Sequence, residues 1–180
     1  MRRIRMMVVV AMVLAGLSQR GAAQADPVTV FVVRHAEKGP GNPDPDLTDE
    51  GRARATALAH LLGDAEVGVI FTSEFKRTQA TAQPLAALRH LTSTVVGAAK
   101  MDELIDRLRG LAPGTRAMVV SHSNLVPVIV ERLSGQKVGE LTDADYDRIY
   151  AVTLSPGAKA SVLYLHFGAP SASGGEKMRP

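Results

Sequence analysis

The chain has 180 residues, 46% of them hydrophobic, which is enough for one domain with a proper core and too few for two of ordinary size. It contains no cysteine, so disulfides, a thiol nucleophile and every thiolate metal site are excluded. Its formal net charge of +3 suggests a basic protein only until the first 25 residues are set aside.

Those residues have the layout of a secretory signal: a basic stretch from Met1 to Arg5, an apolar core from Met6 to Leu17, and small residues ending in Ala23-Gln24-Ala25 before Asp26. The apolar core is shorter than the roughly 20 residues that span a bilayer, so cleavage after Ala25 is expected in preference to retention as an anchor. The expected organisation is therefore a signal at 1–25, a domain at 26–168 and a disordered tail at 169–180, with the mature chain periplasmic or secreted and not held in a membrane. The signal carries Arg2, Arg3, Arg5 and Arg20 and no acid. What remains has 17 basic against 18 acidic residues, a formal charge of −1, and gives no case for a nucleic-acid partner.

Val28 to Val33 is a continuous apolar run without alternation, as expected of a strand covered on both faces, and it ends abruptly in Arg34-His35-Ala36-Glu37. Gly39 to Asp46 is a run of turn formers, hence a loop beside the Arg-His pair. A helix is expected from Thr48 as N-cap to Gly63, burying Ala55, Leu58, Ala59 and Leu62. Val67 to Thr72 is a second strand. From Ser73 a second helix is expected to run to about His90, with Arg77 in its first turns and a kink or restart at Pro84. Thr94 to Val96 is a weak third strand, and Met101 to Leu111 an amphipathic helix ended by Pro113-Gly114. Ala117 to Val120 repeats the design of the first strand and ends in Ser121-His122-Ser123-Asn124, with a helix expected at once after it, closing at Ser134-Gly135. One helical turn is expected within Thr142 to Arg148, then strands near Tyr150 to Leu154 and Ser161 to Phe167. Strands alternating with helices predict an α/β fold, a mostly parallel central sheet between two helical layers.

In such a sheet, ligands bind outside the carboxyl ends of the strands, and three of those ends offer Arg34 with His35, Arg77, and His122. Two guanidiniums and two imidazoles around one crevice describe a phosphoryl site, because the arginine fork matches phosphate oxygens and keeps its charge. The helix after His122 is expected to add amides to the same anion. A neutral imidazole is a competent nucleophile toward phosphorus near neutral pH. With arginines to neutralise the transferred group, neither a metal nor a cofactor is expected. Asn42 in the adjoining loop is a further candidate donor to phosphate, although asparagine is also a plain turn former.

These residues resemble the histidine phosphatase superfamily, also called phosphoglycerate-mutase-like. Its Arg-His-Gly signature is matched by Arg34-His35-Ala36-Glu37, and its Leu-Thr-x-x-Gly helix start by Leu47-Thr48-Asp49-Glu50-Gly51. Its Ser-x3-Arg-Thr-x-x-Thr-Ala segment is matched by Ser73 to Ala82, and its second histidine by Val119-Val120-Ser121-His122-Ser123-Asn124. The resemblance implies a phosphatase with His35 as phosphoryl acceptor, Arg34, Arg77 and His122 as the phosphate pocket, and a phosphorylated small molecule or phosphoprotein as substrate. The compact spacing between Arg77 and His122 resembles the phosphohistidine-phosphatase type more than the mutases or large acid phosphatases. Ala36 replaces the usual glycine. The family's proton donor is an acid after the third strand or directly after the second histidine, and those places hold Gly97-Ala98 and Ser123.

Other acids and histidines have simpler explanations. Asp102 and Glu103 lie in the first turn of a helix, where acids serve the dipole. Glu37 is open as donor or as a strut of the phosphate loop. His60, His90 and His166 are expected to be structural. The alternative to a phosphatase is a phosphate-binding or signalling module of the same fold that lost turnover with its proton donor.

Overall fold

Val28–Arg34 forms β1, the apolar run whose lack of alternation now has a direct cause. Val30 and Val32 are fully buried against one helical layer and Val33 is fully buried against the other, so both faces of the strand are core. The computed structural model describes residues 25–41 and 43–171. After β1 come α1 (Asp49–Leu62), β2 (Val69–Thr72), α2 (Lys76–Leu88), β3 (Thr94–Val95), α3 (Met101–Arg109), β4 (Arg116–Ser121), α4 (Val126–Ser134), β5 (Arg148–Leu154) and β6 (Ser161–His166).

The six strands make one sheet in the order β3-β2-β4-β1-β5-β6. β1, β2, β3 and β4 run parallel, β5 pairs antiparallel with β1, and β6 pairs antiparallel with β5. The expected α/β sandwich with a mostly parallel sheet is therefore observed. Leu58 and Leu62 of α1 and Leu85 of α2 cover one face together with Ile70, Met118 and Val120. Ile105 and Leu108 of α3 and Ile129 and Val130 of α4 cover the other face with Val119 and Val152. No helix among the described residues is long and apolar enough to cross a membrane.

The start of α1 explains the Leu-Thr-x-x-Gly pattern. The Thr48 hydroxyl accepts from the Gly51 amide at 3.1 Å as N-cap, while the Thr48 amide donates to the Glu37 carbonyl at 3.0 Å. This brings α1 so close to the loop after β1 that a Cβ on Gly51 would stand 2.1 Å from the Glu37 carbonyl oxygen. Only glycine fits there, and Leu47 is buried beside Ala36 and Ala55 in a small satellite core.

Four expectations change. Residues 73–75 are loop, and α2 starts at Lys76 because the extended backbone of Phe75 caps it. Pro84 lies inside α2 without restarting it, since the carbonyl its missing amide leaves free belongs to Ala80, which is exposed to water. The 142–147 segment is a turn and not a helix, because the Asp145 carboxylate closes it by accepting from both the amide and the hydroxyl of Thr142 at 2.7 Å. Finally, 169–171 is not loose tail: Ala169 and Phe167 offer carbonyls to Arg54, and the Ser171 hydroxyl accepts from the amides of Tyr146 and Asp147.

Candidate active site

The sheet order decides the site. β1, β4 and β2 are consecutive neighbours, with Arg34 in register with Ser121 and Thr72 with Val120. The residues just past these strands, His35, His122 and Ser73, are thereby brought side by side at the carboxyl edge. The His35 amide continues the ladder by donating to the Ser121 carbonyl at 2.9 Å. The two imidazole rings stand 5.5 Å apart, edge to face.

His35 is held in one tautomer. Its Nδ1 lies 2.8 Å from the Ala36 carbonyl, which can only accept, so Nδ1 carries the proton and Nε2 the lone pair. The Ala36 amide in turn donates to the Thr81 hydroxyl at 2.9 Å, anchoring this corner to α2. The methyl of Ala36 packs into the satellite core, so its replacement of glycine costs no space. His35 is 3% exposed. Burial pushes its pKa down from 6.5 to about 3, with Arg34, His122 and Arg77 adding to the effect against the Ala36 carbonyl, which favours the charged ring. The ring is neutral at pH 7.

His122 has the opposite arrangement. Its Nε2 is 3.0 Å from the Ser73 hydroxyl and its Nδ1 3.4 Å from Nη2 of Arg77, which can only donate. Nδ1 is therefore the acceptor and Nε2–H donates to Ser73, whose hydroxyl passes the chain on to Thr78 at 2.9 Å. Burial first and Arg77 second push His122 down to about 4.

The arginines do more than face a ligand. Arg34 is 4% exposed, and its Nη1 donates to the carbonyls of Thr142 at 2.7 Å and Asp145 at 3.2 Å. Its Nη2 reaches the Tyr146 hydroxyl at 3.3 Å and the exposed carboxylate of Asp143 at 3.4 Å. Arg77 donates through Nη1 to the Pro43 carbonyl at 3.4 Å and pairs with Asp44 at 3.5 Å. The expected open forks are thus committed in part to the 142–146 turn and the 39–46 loop. Each arginine also has a buried Nε–H without a hydrogen-bond partner among the described residues. Two such orphaned cationic donors beside two imidazoles fit a bound phosphoryl group.

Glu37 is not a free acid. Arg54 holds its carboxylate through Nε and Nη2, so the strut alternative is the one observed. Glu103 is half-exposed and paired with Arg107 and Lys100, and Asp102 with Arg132, as structural roles require. The amides of Leu125 and Val126 close onto the His122 carbonyl, so they are not the anion donors expected at the start of α4. Asn42 lies outside the described residues. His60 and His90 are exposed and His166 pairs with Asp147 at 2.9 Å, all three outside the site.

Sequence reasoning missed Asp44, Phe75, Tyr146 and Arg54. Asp44 ties the loop down by accepting from the Lys76 amide at 3.0 and 3.1 Å. Tyr146 stacks on Arg34, with its ring centroid 4.0 Å from the guanidinium carbon, and Phe75 stacks on Arg77 at 4.2 Å. Nothing in the local sequence marked these rings, since they come from a loop and a turn far apart in the chain.

Residues 30–99, which carry Arg34, His35 and Arg77, match the family model described as histidine phosphatase superfamily (branch 1). Over 71 residues the chain is 37% identical to a protein named phosphoserine phosphatase 1 from Hydrogenobacter thermophilus, covering 36% of this chain and 34% of that one. The chain thus matches about a third of the length of that curated relative. Among solved structures, the protein histidine phosphatase SixA complexed with tungstate superposes with a TM-score of 0.59 at 21% identity, over 77% of this chain and 96% of that one. A putative alpha-ribazole-5'-P phosphatase from Escherichia coli does so with a TM-score of 0.61 at 16% identity, over 77% and 96%. A putative phosphohistidine phosphatase SixA from Nakamurella multipartitia gives 0.58 at 19%, over 81% and 99%. At these identities the structures establish the fold, to which the 30–99 match adds the signature residues. Over residues 30–99 the chain is similar to the histidine phosphatase superfamily, and its fold is that of these phosphatase structures.

Proposed function

We propose that this protein is a phosphatase that transfers a phosphoryl group to His35 and then to water, without a metal, on a phosphomonoester or phosphohistidine outside the cytoplasm. The observation that carries the reading is the pairing of a neutral His35, its Nε2 lone pair fixed by the Nδ1–H bond to Ala36, with the two orphaned arginine Nε–H groups. In the first step Nε2 attacks phosphorus, the bond to the leaving oxygen or nitrogen breaks, and the leaving group departs with that electron pair. In the second, water attacks phosphorus, the P–N bond returns its pair to Nε2, and phosphate and a proton are released. Arg34 and Arg77 stabilise the charge on the transferred oxygens in both steps, and His122, accepting from Arg77 through Nδ1, orients that guanidinium. Solvent supplies the leaving group's proton where none of the family's usual positions holds an acid.

The test is turnover of an aryl phosphate in the presence of EDTA, followed by rapid trapping with labelled substrate. Label is expected on wild type and none on His35→Ala. Binding without turnover would favour the non-catalytic phosphate-binding module, and full labelling of His35→Ala would place the nucleophile elsewhere. Export rests on residues 1–25, all but the last of which lie outside the described residues. Intact-mass analysis of an extracytoplasmic fraction is expected to find a chain beginning near Asp26, and full-length protein confined to the cytosol would overturn that.

A further inference from the structure

The two rings that back the arginines also bracket the imidazoles. Tyr146, His35, His122 and Phe75 form a row of four, with successive ring centroids 6.2, 5.5 and 5.2 Å apart. The inner two deliver the chemistry. The outer two are partly exposed and end the row, Tyr146 beside His35 and Phe75 beside His122. We propose that Tyr146 and Phe75 are the specificity-determining residues of this site, and that they select substrates whose leaving group is a flat aromatic or heteroaromatic ring. The inference rests on the phosphatase reading and deepens it.

Three observations support it. First, the walls are rigid. Phe75 caps α2, and its carbonyl accepts from the amides of Thr78 and Gln79 and from the Thr78 hydroxyl. Tyr146 is held by the hydrogen bond from its backbone amide to the Ser171 hydroxyl at 2.9 Å and by its own hydroxyl, which accepts from Arg34. Ring faces positioned in this way meet a planar partner at little entropic cost. Second, aromatic side chains are scarce, only 4% of the chain, yet two of them stand beside the reacting histidines. Third, the chemistry agrees with the walls. Glu37 is bound by Arg54, and no acid follows β3 or His122. Leaving groups that depart without strong general-acid help are favoured in such a site, and phenolates and imidazoles are of that kind.

Cation–π backing of Arg34 and Arg77 is the competing role for these rings, and inhibition by phosphonates separates the two. Phenylphosphonate and cyclohexylphosphonate share head group and size but differ in flatness, and inorganic phosphate reports on the pocket alone. In wild type, phenylphosphonate is expected to inhibit about 3- to 10-fold more tightly than cyclohexylphosphonate. Tyr146→Leu and Phe75→Leu should each bring that ratio toward one, whereas Tyr146→Phe, which keeps the ring, should retain it. A wild-type ratio near one overturns the proposal. So does a ratio that survives both leucine variants while inorganic phosphate weakens in step, because the rings would then serve the arginines only. If a leucine variant fails to fold, the wild-type ratio and Tyr146→Phe still decide. Should wild type bind none of the three anions and turn over no phosphate ester, the phosphatase reading itself fails, a distinct outcome.

Discussion

Arg54 and Glu37 lock together two residues after His35: Nε of Arg54 lies 2.8 and 2.9 Å from the two carboxylate oxygens, and Nη2 lies 2.6 Å from one of them. Arg54 also reaches the carbonyls of Phe167 and Ala169, so one guanidinium ties the loop after β1 to the end of the described chain. Glu37 therefore acts through position. Glu37→Ala leaves Arg54 buried and uncompensated and should cost about 2–3 kcal/mol in denaturant unfolding, less than a fully buried pair because the carboxylate keeps some contact with solvent.

The same lock bears on proton donation. Rates across aryl phosphates of graded leaving-group pKa should fall steeply as that pKa rises, and neither Glu37→Gln nor Glu103→Gln should steepen the fall, since general acid help is worth 10²–10⁴-fold only where it exists. A shallow dependence in wild type that becomes steep in one variant would identify that residue as the acid.

Gly51 predicts a steric failure. A methyl there would overlap the Glu37 carbonyl oxygen at 2.1 Å, and the obstacle is backbone, which cannot rotate away. Gly51→Ala should destabilise the fold by more than about 2 kcal/mol and lower kcat, despite alanine's better helix propensity. A variant as stable as wild type would show that the loop and α1 are not held so closely.

Arg77→Ala and His122→Ala should each lower kcat/KM by on the order of 100-fold or more, the first as a loss of prearranged charge stabilisation and the second as a loss of the acceptor that orients Arg77. Arg77 also pairs with Asp44 and His122, so its variant should release the 39–46 loop, visible as faster proteolysis there. His35→Ala should keep its fold by circular dichroism while losing all turnover.

The pH dependence follows from the two depressed imidazoles, at about 3 for His35 and about 4 for His122 against an ordinary 6.5. Below 6.5 the unfolded chain takes up protons that the folded chain refuses, so the stability is full above that pH and is lost as pH falls toward 4 and then 3. The double variant His35→Gln with His122→Gln should lose less stability than wild type between pH 7 and pH 4 in urea unfolding. Parallel losses in the two proteins would show that these rings do not set the acid limit.

The amino-acid sequence by itself determined the strands, the helix cap at Thr48 and the four signature residues, because each is a local pattern: an apolar run without alternation, a capping hydroxyl, a charged pair at a strand end. It also left Glu37 undecided, since the partner that decides its role, Arg54, lies 17 residues away on the buried face of a helix that reads as ordinary. Tertiary structure alone placed Tyr146 over Arg34, Phe75 against His122 and Ser171 under the 146–147 backbone. Such contacts join segments up to 112 residues apart and follow from strand order and turn closure, which no local pattern of side chains encodes.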